Sequence, residues 1–132
     1  MKLIDANVIL RFLLNDVPEQ SIIAKETITA GAFTVPEVIP EVVYVLTAVY
    51  SEPRESVGKI LSLFIDNISV ADKIIIKEAL SQYASTSLDY VDCVLLARGK
   101  IVGDDVLTFD KLLLKKISNI NQLKKHKLTK RR

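Results

Sequence analysis

Sixteen acidic residues are spread along this chain, and four of them stand where a carboxylate is out of place. Asp5 closes the apolar start Met1-Lys2-Leu3-Ile4. Glu41 leads into Val42-Val43-Tyr44-Val45-Leu46. Asp92 interrupts a run that holds Tyr90, Val91, Cys93, Val94, Leu95, Leu96 and Ala97. Asp110 follows Val106-Leu107-Thr108-Phe109. Each carboxylate is set against a segment bound for the core, where a charge is costly unless something pairs with it. No four basic residues are placed to match them. Converging carboxylates without cationic partners repel one another, and a divalent metal is the natural neutraliser. An all-oxygen donor set without His or Cys favours Mg2+ or Mn2+ over Zn2+. A second reading stays open for Asp5, which is also placed to cap the helix that follows it.

The remaining acids carry less information. Glu19, Glu26, Glu52, Glu55, Asp66, Asp72 and Glu78 fall at helix starts, turns or polar faces and read as solvated. Asp89 competes with Asp92 one helical turn earlier, but a helix start gives an acid its own reason to be there. Glu37 competes with Glu41 in the same way, and the two share a face only if the helix begins before Pro40. Asp104-Asp105, after Gly103, reads as a solvated turn, with a secondary metal contact as the alternative.

Other chemistries are poorly supplied. The single cysteine, Cys93, lies among apolar residues and reads as a small buried hydrophobe. The single histidine, His126, sits in a lysine-rich tail, which argues against a Ser-His-Asp or Cys-His machine. Asp5 and Arg11 break the N-terminal apolar run, so it does not read as a signal peptide, and no stretch is long enough to span a membrane. The expectation is a soluble, cytoplasmic protein. A net charge of +2 hides an asymmetry: residues 1–114 carry ten Lys and Arg against all sixteen acids, and residues 115–132 carry eight Lys and Arg and no acid. An acidic body with a basic tail is compatible with a nucleic-acid partner.

The elements that must position the four acids follow from the pattern of the chain. The start reads as a buried strand passing into a helix over Val8–Leu14. Pro18 opens a second helix to about Ala30, stopped by Gly31. Phe33–Val35 reads as a strand ended by Pro36, and Val42–Tyr50 as a helix entered at Pro40. A fourth helix passes through Val57, Ile60, Leu61 and Phe64. Asn67–Val70 reads as a strand, Asp72–Tyr83 as a helix, and a further helix begins near Asp89 and runs to about Arg98. Val106–Phe109 reads as a last strand, and Asp110–Lys116 as a helix. Short strands alternating with helices predict a three-layer α/β/α sandwich around a short-stranded, mainly parallel sheet. Ligands of such sheets sit at the carboxyl ends of the strands, where Asp5 would stand. One domain over residues 1–116 accounts for the length, with 117–132 as a basic C-terminal tail belonging to it or appended to it.

Met1-Lys2-Leu3-Ile4-Asp5-Ala6-Asn7-Val8-Ile9, Glu41 before Val-Val-Tyr-Val-Leu, Asp89-Tyr90-Val91-Asp92, and Leu107-Thr108-Phe109-Asp110 resemble, in order and spacing, the motifs of PIN-domain proteins. Within them the chain is most similar to the toxin ribonucleases of VapBC-type toxin–antitoxin pairs. The resemblance runs to about Leu114; beyond Asp110 relatives often carry an aromatic, where this chain has Lys111-Leu112-Leu113-Leu114-Lys115-Lys116. The resemblance implies an acidic site of Asp5, Glu41, Asp92 and Asp110, with Asp5 and Asp92 as the direct metal ligands and Glu41 and Asp110 as secondary ones. Asn7 and Thr108 would support them by orienting carboxylates or water.

What the resemblance implies for function is an endoribonuclease that uses Mg2+ or Mn2+ to hydrolyse RNA phosphodiester bonds, inhibited by a small antitoxin protein. The metal would activate water and stabilise charge on the attacked phosphate, with no covalent intermediate. The apolar N-terminal third, including Phe12, Leu13, Val43, Tyr44 and Val49, predicts a homodimer. Three rivals remain: a PIN-type ribonuclease in housekeeping RNA processing, a PIN-like protein kept only for protein interaction, and a receiver-like phosphoacceptor. The last would need an acidic pair after the first strand, where this chain has Asp5-Ala6-Asn7.

Overall fold

A computed structural model describes residues 1–130 of the chain, with side chains as far as Lys125. Arg131, Arg132 and the side chain of His126, all in the predicted basic tail, lie outside the described residues. Three strands and seven α-helices are formed among the described residues, in the α/β/α arrangement expected of a PIN-like fold. The strands are very short. β1 (Lys2–Leu3), β2 (Ala32–Thr34) and β3 (Ser69–Val70) run parallel in the order β1-β2-β3, with Leu3 opposite Phe33 and Thr34 opposite Val70. So small a ladder gains support from its surroundings. The Ile4 N–H donates to the Phe33 carbonyl at 2.9 Å, and the buried Thr34 hydroxyl donates to the Ile4 carbonyl at 2.7 Å. That pair of bonds fixes the point where the chain leaves the sheet for Asp5.

The helices begin and end on chemically identifiable residues. α1 (Ala6–Leu14) ends on Asn15 in the left-handed conformation, whose N–H reaches the Arg11 carbonyl. α2 (Pro18–Ala30) carries Pro18 in its first turn, where no intrahelical N–H is needed. α3 (Val38–Tyr44) starts two residues earlier than Pro40 predicts, because Pro40 falls in the first turn, which tolerates its missing donor. A π-helical stretch, Val45–Val49, continues it, so the Tyr50 N–H bonds back to the Val45 carbonyl.

α4 (Arg54–Phe64) and α5 (Lys73–Ser85) approach closely at Gly58, where a methyl group would lie 2.6 Å from the Leu80 carbonyl oxygen and 2.8 Å from the Ala84 Cβ. α6 (Tyr90–Ile101) and α7 (Lys111–Lys130) complete the chain. Ile9, Ile39, Leu61, Leu80, Leu96 and Leu113, from α1 and α3 to α7, are fully buried in one cluster.

Two expectations need correction. Val106–Phe109 is not a strand: it pairs with none of the three strands, and Leu107 and Phe109 are 84% and 90% exposed. Its composition of Val, Leu, Thr and Phe imitates a strand, but the Thr108 hydroxyl instead accepts the Asp110 N–H at 3.1 Å and turns the backbone into α7. The last helix does not stop near Lys116 but runs unbroken to Lys130, since nothing after Lys116 is a helix breaker.

Candidate active site

Each of the four candidate acids stands in the N-terminal turn of a helix, or just before it. Asp5 precedes α1, Glu41 lies in the first turn of α3, Asp92 in the first turn of α6, and Asp110 precedes α7. These helices pack in succession, α1 on α3, α3 on α6 and α6 on α7. The free N–H groups of a helix start and the positive end of its dipole favour negative charge there.

Asp5 leaves β1 with an extended backbone, and its Oδ1 accepts the Val8 N–H at 3.1 Å. It is therefore a helix cap, which does not use up a carboxylate's acceptor capacity. Asp5 and Glu41 line the same cleft, of about 460 Å3, together with Ala6, Asn7, Leu10, Tyr44 and Val45. Asn7 also lines a more apolar cavity of about 320 Å3 on the side of α1 that faces α2, where Leu3, Val8 and Ile23 contribute and no acid does. Glu37, the rival of Glu41, precedes α3 and is absent from the Asp5 cleft. Tyr44, an exposed phenol on the wall of that cleft, is the functional candidate that sequence reasoning counted only as apolar surface. Its signal was its spacing, three residues from Glu41 and so on the same helix face.

Asp92 and Asp110 stand at the first turns of the neighbouring helices α6 and α7. Asp89 caps α6, its Oδ1 accepting the Asp92 N–H at 2.9 Å. Asp110 caps α7 in the same way, its Oδ1 accepting the Leu113 N–H at 2.8 Å. Asp92, half-buried between them, has its carboxyl pushed above the usual aspartate range, first by burial and then by the charges of Asp89 and Asp110. Arg54 holds this end of α6 in place. Its guanidinium donates to the carbonyls of Thr86 (3.1 Å) and Leu88 and lies 3.7 Å from the centre of the Tyr83 ring. Beneath Asp92, burial pushes the Cys93 thiol up to about 11 and the Tyr90 phenol up as well, so neither ionises near neutral pH.

Two features bear on a metal. Among the described residues, Asp16, Glu55, Asp66, Glu78 and Asp104 are paired with Lys or Arg, while Asp5, Glu41, Asp89, Asp92 and Asp110 are not. Asp104 is taken by Arg98 at 2.6 Å, and Asp105 is exposed. No three acids, cysteines or histidines among the described residues gather into a ready-made cage; the candidate acids form two pairs, Asp5 with Glu41 and Asp92 with Asp110. Paired carboxylates suit Mg2+, which is commonly held by one or two carboxylates and keeps several of its waters. A cation beside Asp92 would offset both the burial and the acidic neighbours that raise its carboxyl. The donor chemistry fits.

Residues 2–119 match the family described as PIN domain. No curated protein and no solved structure matches the chain.

Proposed function

The chain belongs to the PIN-domain family, whose members are in general metal-dependent nucleases, and on that premise we propose that it is an endoribonuclease and the toxin of a toxin–antitoxin pair. The observation that carries the reading is the set of carboxylates at four helix starts without a Lys or Arg partner, with the Asp92 carboxyl raised first by burial and then by its acidic neighbours. Asp5 and Asp92 would hold Mg2+ or Mn2+, with Glu41 and Asp110 as secondary ligands. When bound, the ion would supply a polarised water as nucleophile and positive charge to stabilise the attacked phosphate.

The chain's own groups do the rest. Asp89 and Asp110, as caps, fix the first turns of α6 and α7, so Asp92 is presented on a rigid backbone. Thr108 sets the direction of the Asp110 backbone. Asn7, which lines the same cleft as Asp5, would orient a carboxylate or a water.

The toxin reading requires an inhibitor. A flexible peptide of a small antitoxin, bringing an Arg to the acidic cleft and apolar residues to the exposed Tyr44 and Val49 surface, would meet that requirement. The same exposed surface favours a homodimer. Among the described residues no helix is long and apolar enough to cross a membrane. Expression in the native host, followed by purification without denaturant, tests the toxin reading. Co-purification of a small partner that blocks RNA cleavage supports it. An active protein that comes out alone and is harmless when expressed leaves the housekeeping ribonuclease.

A further inference from the structure

We propose that α7 is a track for the RNA backbone, leading away from the acidic site. The inference rests on the ribonuclease reading only for the identity of the site at its start. α7 begins at Asp110 and runs alongside α6 in the same direction: Asp110 faces Asp92 at one end, and the Lys124 ammonium donates to the Gly99 carbonyl at 3.0 Å near the other. Its twenty residues make a rod of about 30 Å at 1.5 Å per residue. Leu113 is fully buried, and Ile117 and Ile120 pack against the core. The apolar stripe is thus occupied by the body of the protein, and Lys111, Lys115, Ser118, Asn119 and Gln122 face outward.

Charge makes the case for a polyanion. Residues 1–114 carry more acids than bases, so this part of the surface repels RNA. Residues 115–132 carry eight Lys and Arg and no acid, and Lys111, Lys115 and Lys116 have no carboxylate partner among the described residues. Lysines interleaved with Ser, Asn and Gln are the donors that phosphate oxygens take without regard to sequence. A lipid surface would need a continuous apolar face beside the lysines, whereas the exposed Leu112, Leu114 and Leu123 of α7 stand singly among Lys, Ser, Asn and Gln.

The test is binding of a single-stranded RNA long enough to span α7, measured with chelator present across a range of salt. The proteins are wild type, the Lys115→Gln/Lys116→Gln double variant and a Lys115→Glu/Lys116→Glu variant, with helix content checked by circular dichroism. The neutral variant should flatten the slope of log affinity against log salt by about 0.7 for each lysine removed. The reversed variant should weaken binding further. Unchanged slopes in folded variants overturn the proposal. So does lysine-dependent binding to phosphatidylserine vesicles without a change in RNA binding. RNA that binds through α7 but is never cleaved with Mg2+ or Mn2+ refutes the ribonuclease reading and leaves α7 as the track.

Discussion

Asp89 caps α6 by accepting the Asp92 N–H at 2.9 Å, and the half-buried Asp92 carboxyl above that bond is raised, first by burial and then by the charges of Asp89 and Asp110. A folded carboxyl above its ordinary value of 3.8 holds its proton longer than the unfolded chain does. Its contribution to stability is therefore present at low pH and is lost as pH rises from that ordinary value through the raised folded one. Asp92→Asn removes that half-buried charge at neutral pH. In chelator, urea unfolding should show the variant more stable than wild type near pH 7, with the difference closing as pH falls below the ordinary carboxylate range. A variant less stable than wild type at neutral pH would mean that Asp92 has a compensating partner.

Capping and charge can be separated at Asp5. Asparagine caps a helix as well as aspartate, so Asp5→Asn should unfold at nearly the wild-type urea concentration. Asp5→Ala loses the bond to the Val8 N–H and should cost about 1 kcal/mol. Equal stabilities for the Ala and Asn variants would show that the cap contributes nothing.

Gly58→Ala places a methyl group 2.6 Å from the Leu80 carbonyl, and the backbone there cannot yield as a side-chain tip would. Overpacking of this kind costs about 1–3 kcal/mol. Thermal unfolding at wild-type temperature would contradict the close approach of α4 and α5.

Arg54→Met strips the Thr86 and Leu88 carbonyls of their guanidinium donor, leaving Leu88 only the weak Cys93 thiol at 3.8 Å, and removes the cation from the Tyr83 ring. Leaving part-buried carbonyls unsatisfied should cost about 2–4 kcal/mol in urea unfolding. Arg54→Lys should recover only part of that, since a lysine cannot span both acceptors as the planar fork does. Full recovery by lysine would reduce the role of Arg54 to charge alone.

Much of the fold was legible because its signals are local. Pro18 and Gly31 bracket α2, and the apolar run broken by Asp5 marks the exit from β1, although only Lys2 and Leu3 pair as strand. Asp89 was readable as a cap from its place before Tyr90, and it is one. The failures came where tertiary context overrides local pattern. Val106–Phe109 has the composition of a strand, but strand pairing is a relation to another segment, and Thr108 bonds to Asp110 instead. Nor could residue order alone say which acids meet. Asp5 and Glu41 share a cleft because α1 packs on α3, and Asp92 faces Asp110 because α6 and α7 lie side by side. Tyr44 was missed for the same reason, since its apolar neighbours gave no hint of the cleft beside it.

The central claim is that Asp5 and Asp92 carry metal-dependent cleavage of RNA. The direct measurement is the rate of RNA cleavage by the full chain in Mg2+, in Mn2+ and in chelator, for wild type, Asp5→Asn, Asp92→Asn and Asp104→Asn, with folding of each checked by circular dichroism. The account predicts metal-dependent cleavage by wild type, its loss in the folded Asp5 and Asp92 variants, and near-wild-type rates for Asp104→Asn, whose carboxylate is already engaged by Arg98. Wild-type rates in either the Asp5 or the Asp92 variant, or cleavage that persists in chelator, would contradict it.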